Sequence, residues 1–291
     1  MDDIALKAIY RELAGFNESV GCAYAVVKGV PLSLMCYNQP QIRGFGDIDI
    51  LVSESSFALC KKWCDDNGFV ENSSGCSAMS KMVFNGLSHQ KQTYLKKHLG
   101  FTCELDFNTD VFWGEYEGKR ADIDEFLSDA FETVIYGVKV RVLPPLKAAV
   151  QLILHHYKDM NSIFLIATRK SIKPEMFRDV YYLLKNNSGE ISAERLYGLS
   201  LEYEIVPYVY YVLYYTEKLF SDEFMKRYVE KFRTAEGERL LDCYGLCEKE
   251  RKVWKCDFRT RLDAESLFPL IEPDLTERDK KKIEINKKVF M

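Results

Sequence analysis

Residues 23–52 read AYAVVKGVPLSLMCYNQPQIRGFGDIDILV, and the fold turns on this stretch. Ala23–Val27 is a short apolar run, as expected of a buried strand. Lys28-Gly29 follows it. Pro31–Tyr37 then reads as a helix, with the proline tolerated in the first turn. Ile48–Val52 is a second strand, entered through Asp47 and Asp49. Side chains at i and i+2 of a strand point to one face, so these two carboxylates lie close enough to share a cation. Hard oxygen donors at that spacing suit Mg²⁺, which binds one or two carboxylates plus substrate phosphates. Gly29 lets a phosphate approach backbone N–H groups at a helix start. Lys28 and Arg43 can neutralise phosphate oxygens. Each signal is weak alone; their order, with a third carboxylate at Glu104 or Asp106 on a later strand, carries the reading.

The flanking sequence continues the pattern. Ser53 is a helix N-cap candidate, Glu54 supports the first turn, and Gly68 stands where a terminating glycine belongs. Thr102–Phe107 alternates as a strand does. Phe131–Tyr136 and Lys139–Leu143 flank Gly137-Val138 as a hairpin. Beyond Pro144-Pro145 the pattern turns helical: Leu146–Tyr157, Met176–Leu184, Tyr208–Phe220 and Glu223–Phe232 each carry an apolar face. The expected architecture is α+β: a mixed sheet with flanking helices over residues 1–145, then an α-helical domain over 146–291. Charge changes at the same point. The first part holds 14 Lys+Arg against 20 Asp+Glu, a net of −6, and the second holds 26 against 24, a net of +2.

The whole chain has 291 residues, 47% hydrophobic and 29% charged, with a net charge of −4. That content excludes a disordered chain, and 16 Gly with 8 Pro exclude a collagenous one. The acidic head disfavours nucleic acid as a partner. The acidic N-terminus MDDIALK does not read as a secretory signal, and the longest apolar run, Ile205–Tyr215, is too short to span a bilayer. Nine cysteines, an odd number without zinc-knuckle spacing, read as reduced thiols in a cytoplasmic protein. Cys60/Cys64 and Cys243/Cys247 are spaced for one helix face each.

The arrangement resembles the polymerase-β-type nucleotidyltransferase superfamily, which has a glycine loop after its first strand, an Asp-x-Asp on the next and a third acid on a later one. VVKGVPLSL and IRGFGDIDILV look more closely like a bacterial branch labelled "uncharacterised nucleotidyltransferase", with CELDF, VLPPL and LILHHYKD as its later motifs. The resemblance covers roughly residues 20–190, and VWKCDFRTRL resembles a tail of the same family. It implies that Asp47, Asp49 and Glu104 hold Mg²⁺, or Mn²⁺ in its place. It implies that an NTP, with ATP expected, gives its nucleoside monophosphate to a small-molecule or peptide/protein acceptor. Asp106 shares the strand face of Glu104, so either can be the third acid. Lys28, Gly29, Ser33, Arg43 and His156 would contact nucleotide. The superfamily's Gly-Ser is replaced here by Gly29-Val30, which keeps a second reading open: a non-catalytic nucleotide- or partner-binding protein with the same fold.

Other polar residues have two readings each. His155 and His156 either face the cleft or pack within the helix. Lys158 and Asp159 read as a solvated face, Asp179 as a helix-surface charge or a family-like acid, and His89 and His98 as surface residues. The VPYVYYVLYY stretch reads as core, or as an acceptor pocket if one face is open. The basic run RDKKKIEINKK reads as a solvated helix end.

Overall fold

The computed structural model describes residues 3–43, 46–72, 90–91, 93–98, 100–112, 119–169 and 171–290, and of His98 and residues 288–290 only the backbone. His89 and Cys76 lie outside the described residues. The strands are β1 (Tyr24–Val27), β2 (Ile48–Val52), β3 (Val70–Glu71), β4 (Tyr94–His98), β5 (Phe101–Asn108), β6 (Phe131–Ile135) and β7 (Val138–Val142). They form one mixed sheet in the order β3-β4-β5-β2-β1-β7-β6. β2 runs antiparallel to β1 and parallel to β5. Every residue of β1 and β2 is buried, as expected of central strands covered on both faces.

The period-2 alternation of the strands divides this sheet chemically. Ile48, Ile50 and Val52 of β2 share a face with Leu105 and Phe107 of β5 and with Tyr24 and Val26 of β1. These side chains enter one core with residues of α1 (Asp3–Arg11), α2 (Phe16–Ser19) and α4 (Phe57–Asp66). Phe16 is its aromatic hub, with ring centroids 4.8 Å from both Tyr24 and Trp63 in edge-on contacts. The intervening residues of β2 and β5 point to the opposite face, and the acids Asp49, Glu104 and Asp106 are among them.

Boundaries shift where local chemistry overrides pattern. The helix after β1, α3, spans Gly29–Tyr37 and so begins two residues before Pro31. Ser53 does not cap α4. Its carbonyl accepts from the amides of Ser56 and Phe57, making a turn that delays the helix to Phe57. Gly68 does close α4, at φ 77°. The hairpin turn falls one residue early, at Tyr136-Gly137, with both at positive φ (52° and 81°), as a two-residue type I′ turn requires. Tyr136 is held there by its hydroxyl, which donates to Asp3 Oδ1 at 2.7 Å, and by its ring against Tyr10.

The chain divides into two units, the first ending at Ala148, inside the helix Pro145–Asn161, and the second taking Lys119 as well as residues 149–291, where the expected divide was at Pro145. The second unit is helical, with helices Pro174–Asn186, Ala193–Glu202, Val206–Phe220, Glu223–Phe232 and Glu277–Phe290 among others. A two-stranded ladder, Cys243–Tyr244 with Lys252–Val253, interrupts them. Cys243 and Cys247 therefore share no helix face: Gly245 at φ 98° turns the chain between them. Cys60 and Cys64 do share a buried face of α4. All described cysteines are free thiols.

Three polar expectations in this unit are corrected by burial. Lys158 and Asp159 are no solvated face. The Lys158 side chain is 4% exposed and its Nζ donates to Asp159 Oδ1 at 2.9 Å, with Arg169 on the same oxygen at 3.4 Å. Burial alone would raise the Asp159 carboxyl, but the Lys158 and Arg169 charges hold it below its usual range. Asp179 is buried rather than on the helix surface. Tyr210, Tyr211 and Tyr215 are buried too, and Tyr215 stacks on Phe258 at 4.0 Å, so the tyrosine-rich stretch is core. No described helix is long and apolar enough to cross a membrane.

Candidate active site

Strand register assembles the acidic face. Asp49 of β2 lies directly opposite Asp106 of β5, and Ile48 lies opposite Leu105, which brings Asp47 beside Glu104. The parallel pairing therefore brings four carboxylates from two distant segments onto one face, away from the apolar core.

Each carboxylate has its own environment. Asp49 is buried, and both of its hydrogen-bond donors fall on Oδ1: Lys28 Nζ at 2.8 Å and Asn108 Nδ2 at 3.2 Å. Asp106 has both oxygens engaged, Oδ1 by the Thr93 hydroxyl at 2.6 Å and Oδ2 by Gln90 Nε2 at 2.7 Å. Burial pushes the Asp106 carboxyl up to about 7; the Thr93 hydrogen bond opposes this, and the charges of Asp49, Asp47 and Glu104 add to it. Asp47 is also raised, first by burial and then by Asp49, with Lys28 acting against both. Glu104 is raised by burial and by Asp47.

Lys28 reaches Asp49 from a strained backbone. It is the residue before α3, at φ 55° and ψ −142°, and Gly29 follows at φ 37°. Glycine adopts positive φ at no steric cost, whereas a lysine there carries about 1–3 kcal/mol of strain. We expect Lys28→Gly to be more stable than Lys28→Ala by about 1 kcal/mol, because both lose the ion pair and only glycine relieves the backbone. Chemical denaturation of the two variants measures the difference, and equal midpoints would show that the turn is unstrained. Pro31 has no N–H, so the first turn of α3 presents the amides of Gly29 and Val30 to an approaching anion.

The remaining expected residues fall in different places. Ser33 is fully buried, and its hydroxyl donates to the Gln39 carbonyl at 2.7 Å and accepts from the Arg43 amide at 3.3 Å. It ties down the loop carrying Arg43, and this corrects the expectation that it contacts phosphate. His156 is buried and belongs to the second unit. Gln90, Thr93 and Asn108 were missed by sequence reasoning. Asn108 had a signal, since it continues the i, i+2 series Glu104, Asp106. Gln90 had none, because only an isolated bridge to Asn108 brings it in.

Among the described residues, no three His, Cys, Asp or Glu side chains close into a ready metal cluster. The donor set still suits Mg²⁺. It consists of hard oxygens, it gathers four carboxylates of which Asp49 and Asp106 are buried, and Mg²⁺ needs only one or two carboxylates when phosphates and water complete its shell.

The family model described as "uncharacterised nucleotidyltransferase" matches residues 1–221, which include this whole face. The chain belongs to that family. The nucleotidyltransferase match takes in both the sheet with its acids and the first helices of the second unit. Among solved structures, the chain is similar to an antigenic nucleotidyltransferase-like protein from Paracoccidioides brasiliensis. The identity is 18% and the TM-score 0.41, over 64% of this chain and 78% of that one. No curated protein matches the chain.

Proposed function

We propose that this nucleotidyltransferase-family protein transfers a nucleoside monophosphate from an NTP, with ATP as the expected donor, to a hydroxyl on a small-molecule or peptide/protein acceptor. The observation that carries this reading is the register of β2 on β5, which sets Asp47 and Asp49 against Glu104 and Asp106 beside the Lys28-Gly29 turn.

Asp47 and Asp49 would hold Mg²⁺, or Mn²⁺ in its place, with Glu104 as the third ligand. A divalent ion supplies charge stabilisation at the attacking and leaving oxygens of a phosphoryl displacement. Asp106 is less available as a ligand, because Thr93 and Gln90 engage both its oxygens. Lys28 neutralises phosphate oxygen, and the α3 amides of Gly29 and Val30 orient the phosphate chain. Arg43 adds a second cation on a loop fixed by Ser33. The acceptor oxygen bonds to the α-phosphorus, the bond to the β-phosphate oxygen breaks, and pyrophosphate leaves. The acceptor proton passes to a carboxylate of the acidic face.

The test is incubation with Mg²⁺, each labelled NTP and an acceptor panel. Pyrophosphate release dependent on one NTP and one acceptor is expected. Full turnover by the Asp47→Ala/Asp49→Ala double variant would refute the assignment. A second reading, non-catalytic nucleotide binding, draws on the ammonium of Lys28 already seated on Asp49. Calorimetry separates the two: tight Mg²⁺·NTP binding without turnover over a broad acceptor panel favours the second.

A further inference from the structure

Asp49 already has a cation. Lys28 Nζ lies 2.8 Å from Oδ1, with the two side chains 17% and 11% exposed. Asn108 Nδ2 binds the same oxygen at 3.2 Å, so the carboxylate stays oriented even when the lysine leaves. The ammonium is held within hydrogen-bond distance of the carboxylate it would have to yield to a metal. It stands at the end of a strained residue, immediately before the helix start where a phosphate chain would lie.

We infer that Lys28 is a resident counter-ion that keeps divalent metal off Asp49 until nucleotide arrives, and that it then exchanges Asp49 for the triphosphate. This rests on the proposed nucleotidyl transfer and adds to it an obligatory coupling between metal and nucleotide. The reasoning is electrostatic. A divalent ion entering between Asp47 and Asp49 without nucleotide meets an ammonium a few ångströms away in a partly buried site, where like charges repel strongly. The same ammonium, offered phosphate oxygens beside Gly29, gains a partner of equal or greater charge and leaves Asp49 free for the metal. Each ligand therefore tightens the other, and the coupling is reciprocal. A Lys-to-Asp pair in this position lets the acidic face fold without metal and prevents idle metal capture.

The experiment titrates Mn²⁺ alone into the full-length protein and follows loss of the free-ion signal by electron paramagnetic resonance. Lys28→Met is expected to bind Mn²⁺ about tenfold or more tightly than the wild type, since removing one repelling charge is worth about that factor. Lys28→Arg, which keeps the charge, is expected to stay near the wild type. Asp49→Asn is expected to lose the binding in either background. Lys28→Gln is the second neutral variant, used if Lys28→Met fails to fold by circular dichroism. Binding of a fluorescent non-hydrolysable ATP analogue with Mn²⁺ is the companion measurement, expected to weaken in both neutral variants. Wild-type binding of analogue and Mn²⁺, with no tightening of Mn²⁺ in either neutral variant, overturns the counter-ion inference and leaves the functional reading standing. No uptake of Mn²⁺ or analogue by any of these proteins overturns both.

Discussion

An Asp49→Asn variant is expected to lose nucleotidyl transfer by about a thousandfold or more, the scale of removing one preorganised charge contact to the reacting phosphates. Its stability is expected to change far less. Two effects oppose each other. Lys28 loses its Asp49 partner, and breaking a partly buried ion pair is costly. Asp47 and Asp106 lose a neighbouring negative charge that raises both. The two offset to within about 1–2 kcal/mol. Thermal melting beside a pyrophosphate assay makes the distinction. A large activity loss with a nearly unchanged melting temperature identifies Asp49 as a working ligand. Wild-type turnover in Asp49→Asn would remove it from the site.

Metal-free protein is expected to lose stability as pH rises from about 4 to about 7. The sign follows from Asp106, whose carboxyl is raised to about 7 in the fold from an ordinary 3.8. Across that window the native state keeps a proton that the unfolded state has released. Stability therefore falls with pH until both states are ionised. Asp106→Asn removes the repelled charge, so the slope should flatten and the variant should exceed the wild type at pH 8 by about 1–3 kcal/mol in the presence of a chelator. Denaturant melts at pH 5 and pH 8 measure both. Added Mg²⁺ should raise the wild-type melting temperature more at pH 8 than at pH 5, because the ion answers a charge that exists only at the higher pH. A pH-independent difference between wild type and Asp106→Asn would mean that the acids do not repel.

The legible part of the site was the part written in one short segment. Lys28, Gly29, Asp47 and Asp49 fall within 22 residues of one another, and strand alternation alone puts the two aspartates on one face. The i, i+2 spacing of Glu104 and Asp106 was equally readable. Which of them has its oxygens already engaged was not, because Thr93 and Gln90, which bind Asp106, come from elements with no sequence pattern tied to it. Ser33 shows the limit of spacing arguments. One helical turn from Gly29 looked right for phosphate, but the hydroxyl closes the Gln39–Arg43 loop from a fully buried position. Lys158 and Asp159 show the same limit for charge: two adjacent ionised residues look solvated until a packed helix buries the lysine against Asp159, with Arg169 on the same oxygen.

Local sequence was enough to place β1, the helix after it, β2, β5 and the β6–β7 hairpin, the change to helix beyond Pro145 and the acidic side of β2 and β5, while α1, α2, β3, β4 and the Cys243–Tyr244 ladder were not read from it. Periodicity and backbone preference act over a few residues and leave their mark in the chain. Tertiary structure alone decided the register of β2 on β5, and with it the meeting of Asp49 with Asp106. It also decided the capture of Asp49 by Lys28 and the raised Asp106 carboxyl. Those properties depend on distances and desolvation between segments separated along the chain, and such distances exist only once the sheet has closed.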